Sequence, residues 1–272
     1  MSKFCKKVIT AAIYIMSLVF AFVPESFFDI FKIFPDAPTV ANVVLNRSLS
    51  FLIVVALVAV VYAIYLRCRC SVYIKGKNYS IKISYGDIFD VPKSKKVIPF
   101  DECFTTEVGH NLAQIKPNSI CGQYLTRYSV PGIPSIIANA QIKPCVEKSK
   151  YKDQERYQSG CLVPNGEYLL MAFAKLDEDG LGRMTRDEYL ESLSVLWREI
   201  DKHYGQIDVC IPILGSGITR MGDNELTQQE LLDMIIGSYK LSAHKIKAPA
   251  RLHIVCRRCE GFSLVFWRYA CP

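Results

Sequence analysis

Charge is scarce in this chain. Asp, Glu, Lys and Arg make up 22% of its 272 residues, against 50% hydrophobic. That balance excludes an intrinsically disordered protein. Glycine and proline are few, 15 and 13, and spread along the chain. Their thin distribution excludes collagen-like and low-complexity repeats. There is no Gly-x-Ser-x-Gly nucleophile elbow and no Gly-Lys-Ser/Thr phosphate loop. The histidines, His110, His203, His244 and His253, are too dispersed to form a ligand cluster. Cys256-x-x-Cys259 lacks a second pair, which argues against zinc. Eleven cysteines at irregular spacings in a long chain fit reduced thiols in a cytosolic domain. The net charge of +7 is modest and partly flanks apolar runs, which points to membrane topology and not to nucleic acid.

What is abundant is uninterrupted apolar sequence near the start. Residues 8–23 and 49–66 carry no charge. A helix needs about 20 mostly apolar residues to cross a bilayer. The spacing predicts a two-pass helical hairpin within residues 1–70, with spans at about 8–24 and 49–66. Lys3, Lys6 and Lys7 precede the first span; Arg67, Arg69, Lys75 and Lys77 follow the second. The connection carries only Lys32 and Arg47. Cations stay on the cytoplasmic side. Both termini are therefore expected in the cytoplasm, with residues 71–272 as a cytosolic domain.

That domain alternates strand and helix signals. Residues 71–74 and 79–84 alternate as strands, and 97–100 is a short apolar piece. Residues 143–158 read as a polar surface excursion. Residues 167–176 read as a buried strand after a Pro164-Asn165-Gly166 turn. Thr185 with Glu188 forms a capping box for a helix whose apolar face is Leu190, Leu193, Val195, Leu196 and Ile200. A strand at 207–214, a second capping box at Thr227 and Glu230, and a strand at 251–256 follow. The order argues for an α/β domain with a sheet covered by helices.

Two strand ends carry glycine. Residues 207–214 run into Gly215-Ser216-Gly217-Ile218-Thr219-Arg220, where successive backbone N–H groups can cradle an anion. A plain tight turn reads the same way. A side chain at Gly217 is expected to block backbone approach and to oppose a positive φ. Gly86-Asp87-Ile88 ends an earlier strand; its carboxylate suits an exocyclic amine such as that of adenine, or simply makes a Gly-Asp turn. The stretch from Asp177 to Glu188 has the spacing of a calcium loop. Leu181 stands where an oxygen ligand belongs, and residues 167–176 lack the polar face of an entering helix. A polar strand-to-helix loop fits better.

The order of these parts, with the stretches IPFDECFTTEVG, LLMAFAKLDEDGLGRMTRDEYLESL and IPILGSGITR, resembles the macro domain of Thoeris antiphage effectors. The resemblance covers roughly residues 71–265 and, in layout, the hairpin of the transmembrane–macro type. It implies a macro-like mixed α/β sheet covered by helices. It also implies a non-enzymatic effector at the bacterial inner membrane. Its ligand would be an ADP-ribose-containing signal, such as histidine–ADP-ribose, made by a partner TIR-domain enzyme. Binding would trigger homo-oligomerisation and disruption of the lipid bilayer, with no metal, no other cofactor and no nucleic acid. By the same resemblance Asp87 and Ile88 contact adenine, and Gly215, Ser216, Gly217, Ile218 and Thr219, followed by Arg220, wrap the diphosphate. Cys121 and Gly122 match the facing glycine loop. Phe100 and Asp101 stand where many macro domains place an asparagine-rich loop against the distal ribose. Lys175 supplies charge near the phosphates. Related macro domains hydrolyse ADP-ribose linkages with a lysine at the position of Lys175 and an aspartate in the glycine loop. Here that aspartate position holds Thr219. A lysine nucleophile must first lose its proton, and threonine offers no carboxylate to handle it. The alternative of a membrane-anchored ADP-ribosyl hydrolase is therefore expected to fail in favour of sensing.

Overall fold

A computed structural model of the chain describes residues 3–24, 26–27, 39–68, 71–128, 132–217, 220–221 and 226–264. It divides into two units, one holding the helices within Met1–Cys70 and the other Ser71–Leu264.

The first unit is a pair of packed helices, α1 (Lys3–Phe22) and α2 (Thr39–Cys68). Val8, Ala12 and Met16 recur every fourth residue, so they share one face of α1, and that face is buried. Cys5–Phe22 and Val40–Tyr65 are each long and apolar enough to cross a membrane. Helix α2 starts well before the uncharged run at 49–66. Arg47 consequently lies inside the apolar stretch, its guanidinium 5.4 Å from the centre of the Phe20 ring. The polar residues of this earlier part are accommodated by the helix. Asn42 and Asn46 are buried, and the Ser48 and Ser50 hydroxyls donate to the carbonyls of Val44 and Asn46 one turn back.

In the second unit, nine strands among the described residues form one mixed sheet: β1 (Ser71–Lys75), β2 (Ser80–Tyr85), β3 (Ser94–Asp101), β4 (Leu162–Asn165), β5 (Tyr168–Leu176), β6 (Gly182–Met184), β7 (Asp208–Pro212), β8 (Arg220–Met221) and β9 (Leu252–Cys256). The order is β1-β2-β9-β7-β3-β5-β6-β8, with β4 on the β5 side. Strands β2, β9, β7, β3 and β5 are mutually parallel; β1 is antiparallel to β2, and β4 and β6 are antiparallel to β5.

Among the described residues four α-helices complete the unit: α3 (Ile120–Arg127), α4 (Ile133–Ala140), α5 (Arg186–His203) and α6 (Gln228–Leu241). Strand β5 explains the layering. Its YLLMAFAKL sequence is apolar on both faces, as a strand covered on both sides must be. Tyr168, Leu170 and Ala172 join Tyr124 of α3 and Ile133 and Ile137 of α4 in one core. Phe173, on the other face, meets Tyr189 of α5 edge-on at 6.0 Å. Trp197 of α5 is buried, packs on Tyr239 of α6 at 4.9 Å and donates to Ser238 Oγ.

Both expected capping boxes are formed, at Thr185 with Glu188 and at Thr227 with Glu230. Replacing Thr185 with Ala should lower stability by about 1 kcal/mol, the usual cost of a lost cap. Urea unfolding of the purified protein measures this, and an unchanged midpoint would contradict it. Strand β3 is longer than the apolar piece at 97–100. Lys96 lies inside it almost wholly buried, its ammonium 2.6 Å from Glu167 Oε2. Residues 168–176 form a strand where a calcium-binding hand requires a helix. The Asp177 carboxylate caps the β5–β6 turn through the N–H groups of Asp179 and Leu181 and pairs with Arg183.

Candidate functional site

The five parallel strands end at one edge, and each contributes to a single cavity of about 630 Å³ there. Gly86, Asp87 and Ile88 follow β2; Arg257, Arg258 and Cys259 follow β9; Pro212 to Gly217 continue β7; Phe100 and Asp101 close β3; Ala174 and Leu176 close β5. Ligands of parallel α/β sheets bind outside the carboxyl ends of the strands. The volume falls in the ordinary range for small-molecule sites, about 300–1,000 Å³.

At one end, Asp87 Oδ1 accepts the Phe89 N–H at 3.0 Å and caps the single 3-10 turn Ile88–Asp90. This contact fixes the carboxylate at the cavity wall, with the buried Ile88 beside it. In the middle, the chain turns over Ile213–Ser216. Ser216 donates both its N–H and its hydroxyl to the Ile213 carbonyl, and Gly215 sits at φ 78. A third turn position with that φ demands glycine. The buried Tyr189 hydroxyl donates to the Leu214 carbonyl at 3.0 Å, tying the turn to α5. Gly217 has ordinary φ, and a Cβ there would meet open space. The left-handed position is thus Gly215, and the expectation for Gly217 is corrected: it can take a side chain without backbone strain.

The first residues of α3 also line the cavity, with Ile120 packed against Ile88 and Val255. Ser119 caps this helix by accepting the Gly122 N–H at 3.0 Å. Ser119, Ile120 and Cys121 face the cavity, so the positive end of the helix dipole points into it. Burial, and then the neighbouring Asp101, raise the Cys121 thiol well above its usual range, which keeps it neutral. At the far end, burial raises the Asp101 carboxyl, against the opposing pull of its hydrogen bonds. Asp101 Oδ1 accepts the N–H groups of Cys103 and Thr105, and Oδ2 accepts the Thr105 hydroxyl. It thereby shapes the loop that brings Thr105 to the wall.

The cavity therefore brings together Asp87, Ile88, Phe100, Asp101, Cys121, Gly215, Ser216 and Gly217. Two expected residues lie elsewhere. Gly122 is in the first turn of α3, where a Cβ would come within 2.2 Å of the Lys116 carbonyl; its smallness serves packing, not ligand approach. Lys175 faces a second, charged cavity, with Nζ 2.6 Å from Glu188 Oε1. Burial pushes the Glu188 carboxyl up, but the Lys175 ammonium and the Thr185 N–H outweigh it and hold it below its usual range. Ile218 and Thr219 lie outside the described residues, and the backbone of Arg220 pairs with Arg183 in the sheet. Sequence reasoning missed Thr105, Lys116, Gln228, Arg257 and Arg258, all in the wall. The strand-end argument applied to Gly86 and Gly215 would have found Arg257 and Arg258, which follow the strand at 251–256. Nothing local marks Lys116, whose ammonium holds the carbonyls of His110 and Asn111.

The family described as "Thoeris protein ThsA, Macro domain" matches residues 81–257. The Thoeris protein ThsA of Bacillus amyloliquefaciens (strain Y2) is 31% identical over 199 residues, covering 69% of this chain and 66% of that protein. The matched region thus spans just under two thirds of the relative's length. Among solved structures, a glycine-to-valine mutant of the Oceanobacillus iheyensis macrodomain with ADPR aligns at a TM-score of 0.45 and 11% identity, covering 69% of this chain and 90% of that one. The same macrodomain with ADP aligns at 0.43 and 11%, covering 69% and 88%. With the match spanning most of Ser71–Leu264, this chain belongs to the Thoeris ThsA macro domain family.

Proposed function

We propose that the cavity binds an ADP-ribose-type signal without turning it over, and that the helical pair converts binding into a membrane response in antiphage defence. One observation carries this reading: the carboxyl ends of five parallel strands meet in one cavity whose wall holds an acceptor, Asp87, a glycine turn at Gly215 and the first residues of α3. An adenine amine suits the first, and a diphosphate suits the second. The signal is histidine–ADP-ribose or a close conjugate, supplied by a TIR-domain partner. The helices cross the inner membrane twice with both termini in the cytoplasm, and ligand drives homo-oligomerisation that disrupts the bilayer.

The position of Lys175 favours sensing over hydrolysis. Its ammonium is paired with Glu188 and lines the neighbouring charged cavity, so it is neither free nor in the wall of the strand-end cavity.

Calorimetric titration of the full chain in detergent with ADP-ribose tests the site. Asp87→Ala should weaken binding by about 1–3 kcal/mol, the cost of losing a charged hydrogen-bond acceptor. Chromatography of the ligand after prolonged incubation should return it unchanged. Equal affinity in Asp87→Ala would remove the aspartate from the site. Product formation that vanishes in Lys175→Ala would establish the hydrolase instead.

A further inference from the structure

Cations in the two cavities are held in different ways. In the charged cavity Arg156 pairs with Glu102 and Glu147, Lys175 with Glu188, and Arg183 with Asp177. In the strand-end cavity Lys116 and Arg257 are held by neutral carbonyls instead. The Lys116 ammonium donates to the carbonyls of His110 and Asn111 at 2.9 and 3.2 Å. Arg257 Nη2 donates to the Asn118 carbonyl at 3.2 Å. Among the described residues neither has a carboxylate partner. A carboxylate within reach cancels most of a cation's field, whereas a carbonyl leaves the full charge to be met by a ligand. Each side chain also has more N–H donors than these contacts use.

Both cations are fixed to one short turn. The Ser119 N–H and hydroxyl donate to the Lys116 carbonyl at 2.9 and 2.7 Å, which closes residues 116–119 just ahead of α3. A Cβ on Gly122 would lie 2.2 Å from that same carbonyl, so the turn is pressed onto the helix. Arg257 reaches the turn from the end of β9, through Asn118. The Gln228 side chain of α6 donates to the Arg257 carbonyl at 3.0 Å and holds its backbone in place. Lys116, Ser119 and Arg257 all line the cavity.

We propose that Lys116 and Arg257 bind the diphosphate of the ligand and make the cavity prefer phosphorylated over phosphate-free nucleosides. This rests on the reading of the cavity as the signal site. The backbone N–H groups of the Gly215 turn and of α3 supply dipoles but no net charge. Lys116 and Arg257 supply the charge. The guanidinium offers phosphate a planar fork of donors, and the ammonium offers a compact point charge. Their carbonyl contacts hold both side chains in the wall before a ligand arrives, so little freedom is lost on binding.

Calorimetric titration of the full chain in detergent, with ADP-ribose and adenosine as probes, tests this. Lys116→Gln and Arg257→Gln should each weaken ADP-ribose about 10–150-fold, the equivalent of one charge-assisted bond. Adenosine should stay within about twofold of wild type, which also shows that the variants are folded. Added salt should weaken ADP-ribose binding to wild type, and less steeply in each variant. Lys116→Arg keeps the charge and should keep most of the affinity and the salt dependence. Lys116→Gln also frees the carbonyls of His110 and Asn111. Equal losses for both probes would therefore reduce the lysine to a loop fastener and overturn the assignment. Unchanged ADP-ribose affinity in Arg257→Gln, or an unchanged salt dependence, would overturn it too. Wild type that binds neither probe would instead overturn the signal-site reading beneath it.

Discussion

Removing residues 1–70 should abolish ligand-dependent leakage and leave ligand affinity within about twofold of the full chain, the behaviour expected of sites that share no partners. Ser71–Leu264 is a compact unit with its own buried core, and every residue of the cavity wall lies within it. Among the described residues, only Cys5–Phe22 and Val40–Tyr65 are long and apolar enough to cross a membrane. In a bilayer, the buried asparagines and Arg47 would give these helices polar groups that an isolated pair must satisfy internally, because lipid offers no hydrogen bonds. A regrouped set of helices can satisfy the same groups with each other or with water. On the proposed function, regrouping is therefore the simplest route from a tethered pair to a leaky bilayer. Dye release measured with the full chain and with the 71–272 fragment decides the point. Equal leakage from the fragment would contradict it.

Gly215→Val should reduce affinity about 5–150-fold, the equivalent of the strain at that position. The variant either holds the turn under strain or releases it and loses bonds to the ligand. A β-branched residue at φ 78 is strained by about 1–3 kcal/mol. If the backbone relaxes to escape that strain, the Ser216 N–H leaves the Ile213 carbonyl, and the N–H groups of the turn no longer converge. Each lost charge-assisted bond to a phosphate costs about 1.5–3 kcal/mol. Gly217→Ala serves as the contrast, since its backbone is unstrained and its loss should come only from a methyl group entering the cavity. Titration of both variants separates these terms. Near-wild-type affinity in Gly215→Val would take the turn out of the site.

The legible features were those with a period or a cap. The apolar runs near the start, the strands now β1, β2, β5, β7 and β9, and both capping boxes could be read from the sequence because each satisfies its own local rule. Helices α3 and α4 could not. Each has eight residues, too few for an apolar stripe to repeat, and α4 starts behind a left-handed Gly132 without a side-chain cap. Strand β3 was half hidden by Lys96 and Pro99. The lysine is buried only because Glu167, distant in sequence, neutralises it. The proline is tolerated because β7 pairs only with residues 94–96, which leaves the position of Pro99 without a ladder partner on that side. In the site, Asp87 and Gly215 were legible because they end strands. Arg257 and Arg258 were open to the same strand-end argument, whereas the outward course of Lys175 was not, since it depends on which face of the sheet a strand end presents.

The most direct measurement is a crystal structure of Ser71–Leu264 with histidine–ADP-ribose. Adenine is expected against Asp87 and Ile88, the diphosphate between the Gly215–Gly217 turn and the start of α3, and Lys175 still paired with Glu188. A ligand bound in the charged cavity at Lys175, or adenine away from Asp87, would contradict it.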